Sequence, residues 1–94
     1  TQASLLLGPP HPNPLVGRTT IEFALPAAAP VRVEIVDGAG RRVRVLCDEV
    51  RAAGRHAVVW DGRGEDGRKA ASGVYLFRVK SGGQETSGRV VLAR

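Results

Sequence analysis

The chain has 94 residues, a net charge of +5 and 43% hydrophobic residues, but only 4% aromatic ones. This length fits one domain whose single core must be built mainly from aliphatic side chains. The twelve glycines and six prolines favour short strands and turns over helices. No apolar run approaches the roughly 20 residues of a membrane-spanning helix, which argues against a membrane span.

Residues 1–17 open with an apolar run, Leu5–Leu7, followed by four prolines within residues 9–14. Proline lacks a backbone N–H, so no continuous ladder of strand hydrogen bonds can pass through this stretch. We predict an edge strand at Leu5–Leu7 and then an ordered connector or a semi-rigid spacer. The expected division is an N-terminal strand and Pro-rich connector at 1–17 and a β-sandwich domain at 18–94.

Residues 19–25 and 31–36 alternate apolar and polar side chains, the pattern of a half-buried strand. The stretch Pro26–Pro30 between them has a proline at each end, so it is too constrained for a stable helix despite its three alanines. The side chains expected to point into the core are Ile21, Phe23, Leu25, Val31, Val33 and Ile35.

A hairpin follows. Asp37–Gly40 contains Asp-Gly and a second glycine, residues that tolerate the backbone conformations of tight turns. Arg42–Leu46 then returns as the partner strand. Its apolar residues Val43, Val45 and Leu46 do not share one parity, which predicts a β-bulge.

Two further strands, His56–Trp60 and Val74–Val79, carry most of the aromatic mass. The residues between them, 61–67, hold three glycines and three carboxylates, a composition that ends regular structure. A core with so few aromatics needs its only tryptophan, so we predict that Trp60 is buried and faces Tyr75 or Phe77.

The last predicted turn is Ser81–Gly83, followed by a final strand over 84–93. Gly88 lies inside that strand and predicts another bulge. Six strands, with one or two marginal ones, recur at turn spacings of about 8–12 residues, which is typical of a β-sandwich. The predicted fold is therefore an all-β, immunoglobulin-like antiparallel β-sandwich of about seven strands.

A calcium-binding site is one interpretation of the acidic turn, because Asp61, Glu65 and Asp66 lie close together in the sequence. Their spacing matches no EF-hand loop and basic residues stand among them, so ordinary turn chemistry is the preferred interpretation. His11, His56 and the single cysteine, Cys47, are too few and too scattered for a zinc site. We predict no metal and no cofactor.

Catalysis is also not expected. A triad would have to recruit Ser72, His56 and Asp61, and no nucleophile elbow accompanies them. A spontaneous amide crosslink would need a buried lysine, whereas Lys69 lies in a turn and Lys80 at a strand end. Cys47 is interpreted as a small apolar residue near a strand end, with an intermolecular bridge or a reactive thiol as the alternatives.

The positive net charge is compatible with nucleic-acid binding, but the distribution of the basic residues argues against such binding. Only Arg41, Arg42 and Arg44 form a cluster, and the other strand arginines stand singly in alternating strands. Aromatic side chains are not interleaved with them as base stacking requires. No nucleic-acid partner is expected.

Taken in order, several motifs resemble one known pattern: Asn13–Pro14, Thr19–Pro26, Val33–Arg41, Ala53–His56, Trp60–Arg63, Gly67 and Ser72–Tyr75. They resemble the immunoglobulin-like domain of the flagellar hook-capping protein, and the similar C-terminal sorting domain of proteins exported by the type IX secretion system. The resemblance covers about residues 12–94, and Gly88–Arg94 looks like the terminal strand of such domains.

The resemblance implies a seven-stranded, non-catalytic extracellular module of a bacterial protein, secreted or held at the cell surface. Its expected role is a C-terminal sorting or anchoring domain whose partner is the export machinery. The alternative is a structural subunit of a fibre or assembly scaffold. Such a subunit would bind neighbouring copies through an exposed edge or through Leu5–Leu7 donated as a strand.

Overall fold

The computed structural model describes residues 8–14 and 16–93. Within them the chain forms six strands: β1 (Thr19–Leu25), β2 (Ala29–Val36), β3 (Arg42–Arg51), β4 (Gly54–Trp60), β5 (Gly73–Ser81) and β6 (Gln84–Leu92). One sheet has the order β1-β4 and the other β3-β2-β5-β6, with antiparallel pairing throughout. The predicted all-β sandwich is confirmed, whereas the strand predicted at Leu5–Leu7 lies outside the described residues.

The core lies between the two sheets and takes side chains of one parity from β1, β4, β5 and β6. All six side chains predicted to point inwards are buried, from Val33 and Ile35 at 0% to Leu25 at 3% exposed. Trp60 is also fully buried, and its ring meets that of Tyr75 edge-on at 5.1 Å. Its indole N–H donates to the Arg63 carbonyl at 2.9 Å, which satisfies the one polar atom of the ring. The prediction for Trp60 is confirmed.

Strand β3 contains the predicted irregularity. Its pairing with β2 shifts between Cys47 and Val45 and again between Arg44 and Arg42, which leaves Leu46 and Val43 as the extra residues. Both of these side chains pack against the core. A bulge places two consecutive side chains out of strict alternation, which explains the mixed parity of this strand.

The bulge predicted at Gly88 is wrong. β5 and β6 pair without any shift from Gly73 opposite Leu92 to Ser81 opposite Gln84. Gly88 lies directly opposite Phe77, and a Cβ atom at Gly88 would lie 2.5 Å from Phe77 Cζ. This glycine is required by a close approach of a ring and not by a change of register.

Both hairpin turns are confirmed. The Asp37 carboxylate accepts hydrogen bonds from the N–H groups of Ala39 and Arg41, each at 2.9 Å. In the last hairpin, Gly82 and Gly83 both have positive φ, 57° and 79°, as a two-residue turn between antiparallel strands requires.

Several strands are longer than predicted. β2 begins at Ala29 and includes Pro30, β3 continues to Arg51, and β4 begins at Gly54. Pro30 pairs only with β3, since the pairing of β2 with β5 begins at Val31. A proline at the start of a strand removes no required donor there, which explains why it is tolerated.

Candidate interaction surfaces

β6 is one of the two edge strands of the four-stranded sheet, so no strand of the described residues pairs with its outer side. Among the described residues, Asn13 is the side chain that meets it. Asn13 Oδ1 accepts from the Val91 N–H at 3.0 Å, and Asn13 Nδ2 donates to the Arg89 carbonyl at 3.4 Å. One side-chain amide thus takes the place of a neighbouring strand at this end of the edge.

Residues 8–14, the strap, hold Asn13 in position. His11 forms a single antiparallel bridge with Thr20 of β1, with N–O distances of 3.2 and 2.9 Å. The buried hydroxyl of Thr19 donates to the Pro12 carbonyl at 2.7 Å. The strap therefore contacts β1 of one sheet and β6 of the other. Of the two predicted alternatives, residues 8–14 form an ordered connector and not a semi-rigid spacer. The domain boundary after residue 17 stays a prediction.

Along the rest of the β6 edge, no strand among residues 8–14 and 16–93 pairs with the outward backbone groups. Glu85, Ser87 and Arg89 are exposed and point away from the core, on the outer face of the sheet. Glu85 contacts Lys80 at 4.0 Å, while Arg89 has no ion pair among residues 8–14 and 16–93. Exposed strand edges are sites where another chain can pair.

The outer face of the four-stranded sheet carries a charged cluster centred on Glu34. This carboxylate is only 6% exposed, although it points away from the core. Three cations surround it: Arg32 at 3.2 Å, Arg78 at 3.6 Å and Lys80 at 3.8 Å. Their side chains cover the acid, so the cluster ties β2 to β5 and uses part of its positive charge internally.

The other half of this face is apolar. Leu76 and Val74 of β5 are 37% and 47% exposed, and they lie opposite Val36 and Val91 respectively. Next to the charged half, an open groove of about 350 Å³ lies between Arg32, Asp48, Lys80 and the Ser81–Gly83 turn. These are features of a protein-contacting surface and not of an enclosed substrate site.

The predicted acidic turn is part of the loop between β4 and β5, and it covers the outer edge of β3. Glu65 donates its N–H to the Val43 carbonyl at 3.1 Å, and its carboxylate accepts from the Val45 N–H at 3.3 Å. Asp61 accepts from Arg44 at 2.6 Å, and Asp66 accepts from the Arg68 N–H at 2.9 Å. Each carboxylate therefore already has a protein donor, as turn chemistry implies.

The residues considered for chemistry do not converge. The His56 ring stacks on Phe23 at 5.4 Å, and its Nε2 lies 2.7 Å from the Ala52 carbonyl oxygen, whereas Asp61 accepts from Arg44. His11 contacts Glu22 at 3.2 Å. The described part of the chain holds no group of three or more His, Cys, Asp or Glu side chains placed to bind a metal.

Cys47 and the two lysines have ordinary surroundings. Cys47 is 6% exposed and belongs to the core, which confirms the apolar interpretation. Lys69 is exposed, and Lys80 contacts Glu34 and Glu85 at the surface. Neither lysine has the buried surroundings that an amide crosslink would need.

The arginine cluster is partly neutralised. Arg41 pairs with Asp37 at 3.0 Å and Arg44 with Asp61 at 2.6 Å, whereas Arg42, opposite Val36, has no ion pair among the described residues. Two of the three charges are thus engaged with carboxylates within the domain. This arrangement supports a structural role for the cluster.

Comparison with known proteins decides the family. The sequence profile described as "FlgD Ig-like domain" matches residues 15–85, well over half of the chain. The chain belongs to the FlgD Ig-like domain family. The predicted resemblance is confirmed at this level, and the family is one of non-catalytic modules. No curated protein matches the sequence.

Three solved structures resemble this FlgD-type domain. PorU of Porphyromonas gingivalis, solved as a dimeric latent form, has a TM-score of 0.71 and 26% identity over 89% of this chain. PorZ of the same organism, a surface component of the type IX secretion system, has a TM-score of 0.60 and 30% identity over 92% of it. FlgD of P. aeruginosa has a TM-score of 0.62 and 24% identity over 80% of it, which supports the fold alone.

The chain corresponds to only a part of each of these proteins. It spans 9% of the PorU chain, 11% of PorZ and 59% of FlgD. In the residues that the structure describes, no helix is long and apolar enough to cross a membrane. A domain of this fold is thus a part of each of these longer proteins.

Two features of these surfaces were not predicted from the sequence. Asn13 was noticed only as part of a resemblance, because nothing local predicts that its amide reaches β6 more than seventy residues later. Glu34 occupies a polar position of an alternating strand and was expected on the solvated face. The signal that could have revealed its burial is the presence of Arg32, Arg78 and Lys80 at matching parity on two strands.

Proposed function

We propose that this FlgD-type domain is a non-catalytic sorting or anchoring module of a secreted or cell-surface bacterial protein, recognised by an outer-membrane export machinery. The observation that carries the proposal is the similarity to PorU and PorZ, each matched over about nine tenths of this chain by a small part of a much longer one. PorZ is itself a surface component of the type IX secretion system. A protein partner and not a small molecule is the expected ligand.

The surfaces support recognition by a protein. The outer face combines exposed apolar side chains with a rim of charges, a composition suited to protein contacts. Asp61 and His56 have different hydrogen-bond partners, and the described residues hold no group of three or more His, Cys, Asp or Glu side chains placed to bind a metal. The module is therefore proposed to act by being recognised, without chemistry of its own.

A fusion experiment tests this function. A periplasm-targeted reporter carrying the 94-residue chain at its C-terminus is expressed in Porphyromonas gingivalis. We expect the reporter at the cell surface or in the medium, measured by fractionation and protease accessibility. The matched controls are the reporter alone and the same fusion in a strain lacking PorZ, and both are expected to stay in the periplasm.

Retention of the fusion in the periplasm of the unmodified strain would contradict the sorting role. Release that is independent of PorZ would contradict it as well, because it would show leakage or another route. Folding is verified on fusion purified from each strain, with a reporter that contains no tryptophan, by the fluorescence of the buried Trp60, so that misfolding is not mistaken for failed recognition.

A structural subunit that polymerises by strand addition is the second candidate, and the exposed edge of β6 favours it. In this role residues 1–7 would be donated to a neighbouring copy. The test compares the full chain with a truncation of residues 1–7, which keeps the contacts of Pro12 and Asn13 intact. Fibres that form from the full chain and vanish on truncation would support the subunit; soluble monomer from both would contradict it.

A further inference from the structure

The backbone groups of β6 that face away from β5 can be assigned. Asn13 approaches the Arg89 carbonyl and the Val91 N–H from the open side, so the odd-numbered residues direct their N–H and C=O groups outwards. In an antiparallel strand such outward groups alternate with groups bonded to the neighbour. Glu85 and Ser87 therefore also present outward backbone groups, and their side chains are exposed.

The side chains at these positions are self-complementary. Ser87 lies between Glu85 and Arg89, two residues from each, and all three lie on the outer face of the sheet. If a second β6 pairs antiparallel with Ser87 opposite Ser87, each Glu85 lies opposite an Arg89 of the other copy. Opposite charges in directly facing pairs stabilise a sheet, and like charges destabilise it.

Other registers lack this match. Centring the pair on Glu85 or on Arg89 places like charges opposite each other. Centring it on Thr86 places Glu85 opposite Ser87 and Arg89 opposite Gly83, and centring it on Gly88 places Arg89 opposite Ser87 and Glu85 opposite Val91, so neither register pairs opposite charges. The outward backbone groups of the two copies face each other only in registers that differ by an even number of residues. Among these registers, the one centred on Ser87 pairs both charges with opposite charges. Arg89 has no ion pair within the described residues, so its guanidinium is available to a carboxylate of a second copy.

We propose that β6 is a dimerisation edge, at which a second copy of this chain adds antiparallel about a two-fold axis at Ser87. The same edge of both copies is used, so the assembly closes as a dimer and cannot grow into a fibre. It joins two four-stranded sheets into one continuous sheet of eight strands. This proposal does not depend on the sorting role and differs from polymerisation through residues 1–7.

The charges on this edge favour pairing with a second copy and are not the kind that prevents pairing of edge strands. Edges that avoid pairing carry like charges or lysines that repel a second strand. Here one acid and one base flank Ser87 symmetrically, which attracts a second copy in one register. Asn13 competes only for the Arg89 carbonyl, through the longer of its two hydrogen bonds at 3.4 Å, and its 3.0 Å bond to Val91 lies beyond the paired segment.

The test uses the full chain and two charge reversals, Glu85→Arg and Arg89→Glu. Each variant alone places two like-charged pairs across the axis, so we expect its dimer dissociation constant to rise at least about tenfold. Mixing the two variants restores both opposite-charge pairs, so a heterodimer about as tight as the unchanged dimer is expected. Sedimentation equilibrium gives the association constants, with one variant carrying a fluorescent label in the mixture.

Net charge provides the matched control. Arg89→Glu lowers the net charge of a basic protein, so general repulsion would predict tighter association, whereas the proposed register predicts weaker association. Arg55→Glu on β4 makes the same change of charge away from β6 and should not weaken the dimer. The proposal is overturned by a wild-type chain that stays monomeric, by single variants that associate like wild type, or by a mixture no tighter than its components.

Discussion

The ring of Phe77 fills the space that a side chain at Gly88 would need. A Cβ atom there would lie 2.5 Å from Phe77 Cζ and 2.9 Å from Cε2, and the ring is 1% exposed. Because a fully buried ring has little room to move, Gly88→Ala is expected to destabilise the domain by about 1–3 kcal/mol through overpacking. Urea unfolding followed by tryptophan fluorescence measures the change.

Gly17→Ala is the matched control, since no atom lies within 4 Å of the added methyl group and φ is not positive. Its effect should stay within about 0.5 kcal/mol. Combining Gly88→Ala with Phe77→Leu should cost less than the sum of the two single changes, because the smaller side chain makes room. Additive losses would contradict the steric explanation.

Trp60 closes the core against Tyr75. Truncation by Trp60→Ala should lower the free energy of unfolding by about 3–5 kcal/mol, because it removes the largest fully buried side chain. The neighbouring Val59, which is 49% exposed, provides the comparison, and Val59→Ala should cost less than about 1 kcal/mol. Urea unfolding followed by circular dichroism is suitable for both variants. Equal losses would place the indole ring at the surface.

Glu34 holds three cations on the outer face of the sheet. Glu34→Gln keeps the shape but removes the charge, leaving Arg32, Arg78 and Lys80 without their common anion. A loss of about 1–3 kcal/mol is expected, because the charge of the Arg32 hydrogen bond and the ion pairs with Arg78 and Lys80 are removed. Glu22→Gln is the control, since this carboxylate is half exposed and its one ion pair within residues 8–14 and 16–93 is with His11. Thermal unfolding that ranks the two variants equally would show that the cluster contributes nothing beyond a surface pair.

The strands and the core were predictable because alternation of apolar and polar side chains depends only on nearby residues. Trp60 and the bulge in β3 follow from the same local signals. The interpretation of Gly88 was not settled locally, because a glycine inside a strand fits either a bulge or a close approach. Only the pairing of β6 with β5 places Phe77 opposite it.

The partition of strands between sheets also depends on long-range contacts. Only Ala52 and Ala53 separate β3 from β4, a spacing typical of a hairpin, yet the two strands lie in different sheets. The contact of Asn13 with β6 joins the two ends of the chain in the same way. Interaction surfaces built from such contacts are therefore the part of this molecule that the sequence predicts least.

The stability that the first hairpin contributes to the fold depends on pH through Asp37. Hydrogen bonding from the Arg41 N–H, aided by Ala39 and the Arg41 guanidinium, lowers the pKa of the Asp37 carboxyl. A lowered pKa in the folded state stabilises the fold above the unfolded pKa of about 3.9, and this contribution is lost as the pH falls below it.

Asp37→Asn should therefore remove part of the loss of stability below about pH 4. Urea unfolding at a series of pH values measures this, with Asp48→Asn as the control, because exposed Asp48 accepts no hydrogen bond among the described residues. An acid dependence that is the same in Asp37→Asn and wild type would contradict a role for the turn.

The loop between β4 and β5 should be held by its protein contacts and not by calcium. Asp61, Glu65 and Asp66 each accept a hydrogen bond from Arg44, Val45 and Arg68 respectively. We expect no change of Tm on adding calcium or a chelator. Glu65→Ala should lower Tm, because it removes the side-chain acceptor at the bulged edge of β3. A calcium-dependent rise of several degrees that disappears in Asp61→Asn would overturn this prediction, because it would show the carboxylates converging on a cation.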